Sequence, residues 1–93
     1  MNIFFTNTFK KAAKKLHRNE ITKLEDVIEE IEKNPLIGDL KLGDLSGIRV
    51  HKFHILQQLI LMAYLYNEEK EEITLLSFSS HENFYKNLKK QLQ

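Results

Sequence analysis

Apolar positions change period once along this chain, and the change divides it into a helical first half and an extended second half. Phe9, Ala12, Ala13 and Leu16 recur at i, i+3, i+4 and i+7, with Lys10, Lys11, Lys14, Lys15 and Arg18 left on the other side, a pattern that predicts an amphipathic helix capped by Thr8. After Asn19 a second helix would bury Ile21, Leu24, Val27, Ile28 and Ile31. Asn34-Pro35 ends it, because the residue before a proline is pushed out of the α region. Between Pro35 and Gly47 the glycines alternate with Leu40, Leu42 and Leu45, which predicts an ordered loop pinned by its leucines.

From Ile48 onward the period is that of strands. Ile48 to Ile55 sets Ile48 and Val50 against Arg49 and His51, whereas Leu59 to Tyr66 and Ile73 to Phe78 are apolar on both sides, so the middle run is expected at the centre of a sheet. The short links Leu56-Gln57-Gln58 and Asn67 to Lys70 imply antiparallel hairpins, and Ile3 to Phe5 is a candidate edge strand. Phe84, Leu88 and Leu92 fall at helical spacing and predict a short C-terminal helix, with Phe84 rather than Tyr85 in the core. The reading is one α+β domain over residues 1–93, in the order β-α-α-β-β-β plus a helical tail. An antiparallel sheet of three to four strands carries the helical hairpin on one face.

Composition narrows the function. An apolar share of 42% with 29% charged residues fits a chain that buries a core rather than a disordered one. Without cysteine there is no disulfide, no thiolate nucleophile and no sulfur-ligated zinc. The N-terminal apolar stretch is too short for a signal peptide and the run from Leu59 to Leu65 too short to span a bilayer, so a cytoplasmic protein is expected. A net charge of +1 says little about a partner; its distribution is more telling, with acidic residues gathered at Glu25 to Glu32 and Glu68 to Glu72 and basic ones at Lys10 to Arg18, Arg49 to His54 and Lys86 to Lys90.

His51 and His54 suggest a metal pair, yet residues three apart on a strand point to opposite faces. The same parity puts His51 beside Arg49 and turns Lys52 and His54 toward the helical layer, an awkward place for two polar side chains. His81 either caps the last helix or carries chemistry, and Arg49 either pairs with an acidic neighbour or binds an anion. The lysine-rich side of the first helix reads first as a solvated surface and second as a region that approaches a nucleic-acid backbone.

Several segments together resemble the RelE/ParE superfamily of toxins from bacterial type II toxin-antitoxin pairs. These are Phe9-Lys10-Lys11-Ala12-Ala13-Lys14-Lys15-Leu16, the Asn34-Pro35 stop, Gly43-Asp44-Leu45-Ser46-Gly47-Ile48-Arg49-Val50-His51-Lys52-Phe53, Ala63-Tyr64, and His81-Glu82-Asn83-Phe84-Tyr85-Lys86-Asn87-Leu88-Lys89. The resemblance implies a cognate antitoxin that wraps the toxin. It further implies either a metal-free endoribonuclease acting on messenger RNA at the ribosome or, in the ParE-like alternative, an inhibitor of DNA gyrase without nuclease chemistry. No cofactor is implied for either.

Cleavage of RNA by its own 2′-hydroxyl needs a base, an acid and positive charge at the phosphorane. The resemblance maps these roles onto Arg49 for phosphate stabilisation, His81 for proton transfer and Tyr85 for a hydrogen bond or stacking, with His51, Lys52, Lys86 and Lys14 as RNA contacts. The chain's histidines favour the nuclease over a purely binding toxin. That assignment requires the Arg49 guanidinium and the His81 imidazole to open onto one hollow.

Overall fold

A computed structural model describes all residues, 1–93. A five-stranded sheet runs in the order β1-β5-β4-β3-β2, built from β1 (Asn2–Phe5), β2 (Asp39–Leu40), β3 (Arg49–Ile55), β4 (Gln58–Asn67) and β5 (Glu72–Ser80). The β3, β4 and β5 strands form an antiparallel meander with β4 at its centre, as its two-sided apolar pattern implies. Two short edge strands complete the sheet: β1 pairs in parallel with the first half of β5, and the two-residue β2 pairs with the start of β3.

Helices cover both faces. On one, α1 (Asn7–Lys14) and α2 (Arg18–Lys33) bury Phe9, Leu24, Val27 and Ile31 against Phe53, Ile55, Ile60, Met62, Tyr64, Ile73, Leu75 and Phe78. On the other, α3 (Phe84–Gln91) seats Phe84 and Leu88 on Val50, Leu61, Ala63 and Leu76, with Leu45 and Ile48 closing the end. At about 25 cal/mol per Å2 of apolar surface, burial of this kind supplies the main force holding the layers together.

Local chemistry sets the helix ends. Thr6, not Thr8, caps α1: its backbone is extended and its Oγ1 accepts the Phe9 N–H at 3.1 Å while donating to the Leu76 carbonyl at 2.6 Å. The second helix starts at Arg18, earlier than expected, because the His17 N–H is taken by Glu20 Oε1 at 2.8 Å. It stops at Lys33, immediately before Asn34-Pro35. Ile21, assigned to the buried stripe, is 37% exposed.

The segment after α2 is ordered, but not by all its leucines. Leu45 is buried in a 3-10 turn over Gly43–Leu45, whereas Leu40 and Leu42 are exposed. Its anchors are polar. Tyr64 Oη donates to the Pro35 carbonyl at 2.7 Å and accepts the Gly38 N–H at 2.9 Å. A Cβ at Gly38 would stand 2.8 Å from the Tyr64 ring and hydroxyl, so close approach to the tyrosine requires glycine there.

Two irregularities shape the sheet. The β3–β4 link is the two-residue turn Leu56-Gln57, with Leu56 at φ 57, a left-handed conformation taken by an exposed leucine in place of the usual glycine or asparagine. On β5 the register shifts opposite Ala63/Tyr64, leaving Leu76 as an inserted residue. The bulge resets the alternation, so that Leu75 and Phe78, three residues apart, both face α1 and α2 while Leu76 faces α3.

Candidate functional site on the α3 side of the sheet

Strand parity decides which side chains share a surface, and here it reverses the expectation for β3. Phe53 and Ile55 face the helical hairpin, so Arg49 and His51 face it too; Val50 faces α3, so Lys52 and His54 do.

Arg49 stands opposite Tyr64, half-buried, and its Nη1 donates to the carbonyls of Gly38 at 2.8 Å and Leu36 at 3.4 Å. The guanidinium and the tyrosine hydroxyl thus clamp the same short segment, Pro35 to Gly38. Burial pushes the Tyr64 hydroxyl above its ordinary pKa of 10.0, with the Gly38 N–H and the nearby Arg49 charge pulling the other way. His51 is also engaged, with Nε2 3.0 Å from Glu30 Oε1 on α2 and its ring stacked on Phe53. Lys14 is exposed on α1, again on the hairpin side.

His81, Tyr85 and Lys86 lie at the other side. His81 does not cap α3; Asn83 occupies the cap position and the His81 N–H instead donates to the Leu59 carbonyl at 3.2 Å. That bond extends the β4–β5 ladder one step beyond the Ile60–Ser80 pair and sets the exposed His81 on the α3 side, next to Leu59. Together with Gln57, Gln58, Leu59, Ser80 and Glu82 it lines an open depression of about 370 Å3 at this end of the sheet. Tyr85 is half-buried at the edge of the core, its ring edge-on to Phe84, while Lys41 Nζ sits 5.9 Å from its centroid, within cation–π range. Phe84 is the buried partner of the two, as its spacing from Leu88 requires.

The expected trio is therefore not assembled. Because β3 and β5 run in the same direction either side of β4, the level of Arg49 is five residues from that of His54 and His81, roughly 16 Å along the strands. The two groups also face opposite layers. What the fold does bring to one face is Lys52, His54, His81, Tyr85 and Lys86, with Lys41 at its margin. Lys52 and His54 are not turned under the helical hairpin but are exposed on this open surface. The unforeseen residues are Tyr64 and Gly38; the one available signal was a tyrosine inside an apolar strand, since a buried phenol needs a polar partner. Nowhere do three histidine or carboxylate side chains converge as an ion-binding group.

Comparison with known proteins agrees with this architecture. Solved structures of similar fold include a chain of the intact Escherichia coli RelBE toxin-antitoxin complex, at 19% identity and TM-score 0.68, covering 85% of this chain and 94% of that one. Another is from the RelBE2 toxin-antitoxin complex of Mycobacterium tuberculosis, at 16% and 0.74, covering 86% and 96%. A YoeB/ParE toxin from Agrobacterium tumefaciens gives 15% and 0.71, covering 87% and 99%. No curated protein matches. Residues 3–89 match the family described as ParE-like toxin of type II bacterial toxin-antitoxin system, and with that match spanning nearly the whole sequence, the chain belongs to this toxin family within the RelE/ParE superfamily.

Proposed function

We propose that this toxin cleaves messenger RNA on the ribosome by transesterification, at the α3 side of its sheet, and that a cognate antitoxin neutralises it. His81 transfers a proton, Tyr85 contacts the RNA by hydrogen bond or stacking, and Lys52 takes the phosphate-stabilising role first given to Arg49. One observation supports this most: Lys52, His81 and Tyr85 share an accessible face, while Arg49 and His51 are tied to backbone and Glu30 on the opposite one. Lys86 adds positive charge from α3, whereas Lys14 belongs to α1, which packs on the opposite side of the sheet.

The gyrase-inhibitor reading has an observation of its own. Neither arginine is on this face, since Arg18 opens α2 and Arg49 is clamped, so no guanidinium there awaits a phosphate. Primer extension on transcripts after induction, run beside a supercoiling assay with purified gyrase, separates the two. Cuts in messenger RNA that vanish in His81→Ala support cleavage; intact transcripts with impaired gyrase support inhibition.

A further inference from the structure

His54 is an exposed histidine that makes no hydrogen bond and no ion pair, unlike His51 on the same strand, which Glu30 holds. Its place in the register is specific. His54 pairs with Leu59 across β3–β4, and the Leu59 carbonyl accepts the His81 N–H across β4–β5, so His54, Leu59 and His81 form one transverse row on the α3 side. Two strand spacings separate the outer Cα atoms by roughly 10 Å. The two side chains thus leave the α3 side of the sheet on either side of Leu59, so a phosphodiester lying over the leucine would have one imidazole on each side.

We infer that His54 is the second proton-transfer group of the site, a catalytic residue that takes whichever role, base or acid, His81 does not. The inference rests on the RNA-cleaving reading given above. In an in-line displacement the attacking 2′-oxygen and the departing 5′-oxygen lie on opposite sides of phosphorus, so the groups serving them must approach from opposite sides. Two strands flanking Leu59 supply that arrangement.

The neutral imidazole accepts the 2′-hydroxyl proton as the 2′-oxygen bonds to phosphorus. The protonated imidazole gives its proton to the 5′-oxygen as the P–O5′ bond breaks. The products are a 2′,3′-cyclic phosphate and a free 5′-hydroxyl, and the two imidazoles have exchanged protonation states. Lys52 lies two residues before His54, roughly 7 Å along the strand, and its long side chain can reach the non-bridging oxygens. The other charged or titratable groups on this face are Glu82 after β5, Tyr85 and Lys86 on α3, and Lys41 at its margin against the Tyr85 ring.

The test is single-turnover cleavage, at saturating toxin, of a defined message programmed into ribosomes, followed across pH for the wild type, His54→Ala, His54→Gln and His81→Ala. Matched urea midpoints for the two exposed His54 variants establish folding. Loss of His54 should slow cleavage by roughly 100-fold or more and remove one limb of the pH profile. A message carrying sulfur at the 5′-bridging position of the cut site, whose leaving group needs no proton, should restore cleavage in one of the His54→Ala and His81→Ala variants and not in the other. If the wild type cleaves and both His54 variants keep its rate and pH profile, His54 is not a catalyst and the RNA-cleaving reading survives. Rescue of neither histidine variant by the sulfur substrate also overturns the pairing. If the wild type leaves the message intact, the reading falls and the inference with it.

Discussion

Replacing Tyr64 by phenylalanine isolates the hydroxyl that holds the α2–β2 connection. The ring, fully buried, keeps its packing, and only the donor to Pro35 and the acceptor for Gly38 are lost. Gly38 is buried, so its stranded N–H costs about 1–3 kcal/mol; the half-buried Pro35 carbonyl can turn to water and costs only a net hydrogen bond, about 1 kcal/mol. The sum is about 2–4 kcal/mol, a large part of the stability of a domain this size. Urea unfolding followed by circular dichroism reads it directly, provided the m-value is unchanged.

The same variant has a pH signature. Folded Tyr64 keeps its proton to higher pH than the unfolded chain does, so above its ordinary value of 10.0 the unfolded state sheds a proton that the folded state retains. The stabilisation is whole below that pH and is lost as pH rises through the raised folded value. Tyr64→Phe should flatten this part of the alkaline decline. A loss below about 0.5 kcal/mol, the range of ordinary surface substitutions, would refute the idea that this hydroxyl anchors the loop.

Three further outcomes follow from particular contacts. Gly38→Ala should cost about 1–3 kcal/mol in the same urea assay, because its Cβ would press on a tyrosine already fixed by two hydrogen bonds. Leu56→Gly should raise stability by roughly 0.5–1 kcal/mol, since a β-carbon in the left-handed region is strained and this leucine packs on little; a drop in the urea midpoint would contradict that. Glu30→Gln should change stability by less than about 1 kcal/mol and leave growth arrest intact, as expected of a partly solvated ion pair away from the site.

The fold was legible wherever one face of an element is apolar and the other polar. The stripes of α1 and α2 and the choice of Phe84 over Tyr85 come from that contrast, the central position of β4 from its absence, and the end of α2 from the backbone restriction before proline. The site was less legible because the sheet is covered on both faces. On β3, Val50 packs under α3 while Phe53 and Ile55 pack under the hairpin, so parity groups Arg49 with His51 without saying which layer they meet. The parallel β1–β5 pair joins segments some seventy residues apart in sequence, 2–5 with 72–75, a non-local contact with no local pattern. The bulge at Leu76 carries no glycine to announce it. It is secured from outside, by the Thr6 hydroxyl and by Gln91 Nε2, both donating to the Leu76 carbonyl.

Arg49 and His81 make opposite demands on the account, and one experiment sets them against each other. Transcript 3′ ends bearing cyclic or 3′-phosphate are mapped after induction of the wild type, Arg49→Ala and His81→Ala, each normalised to soluble folded toxin. The account predicts the same ends from the wild type and Arg49→Ala, the latter merely less stable, and none from His81→Ala. Ends that disappear with Arg49 and persist without His81 would contradict it.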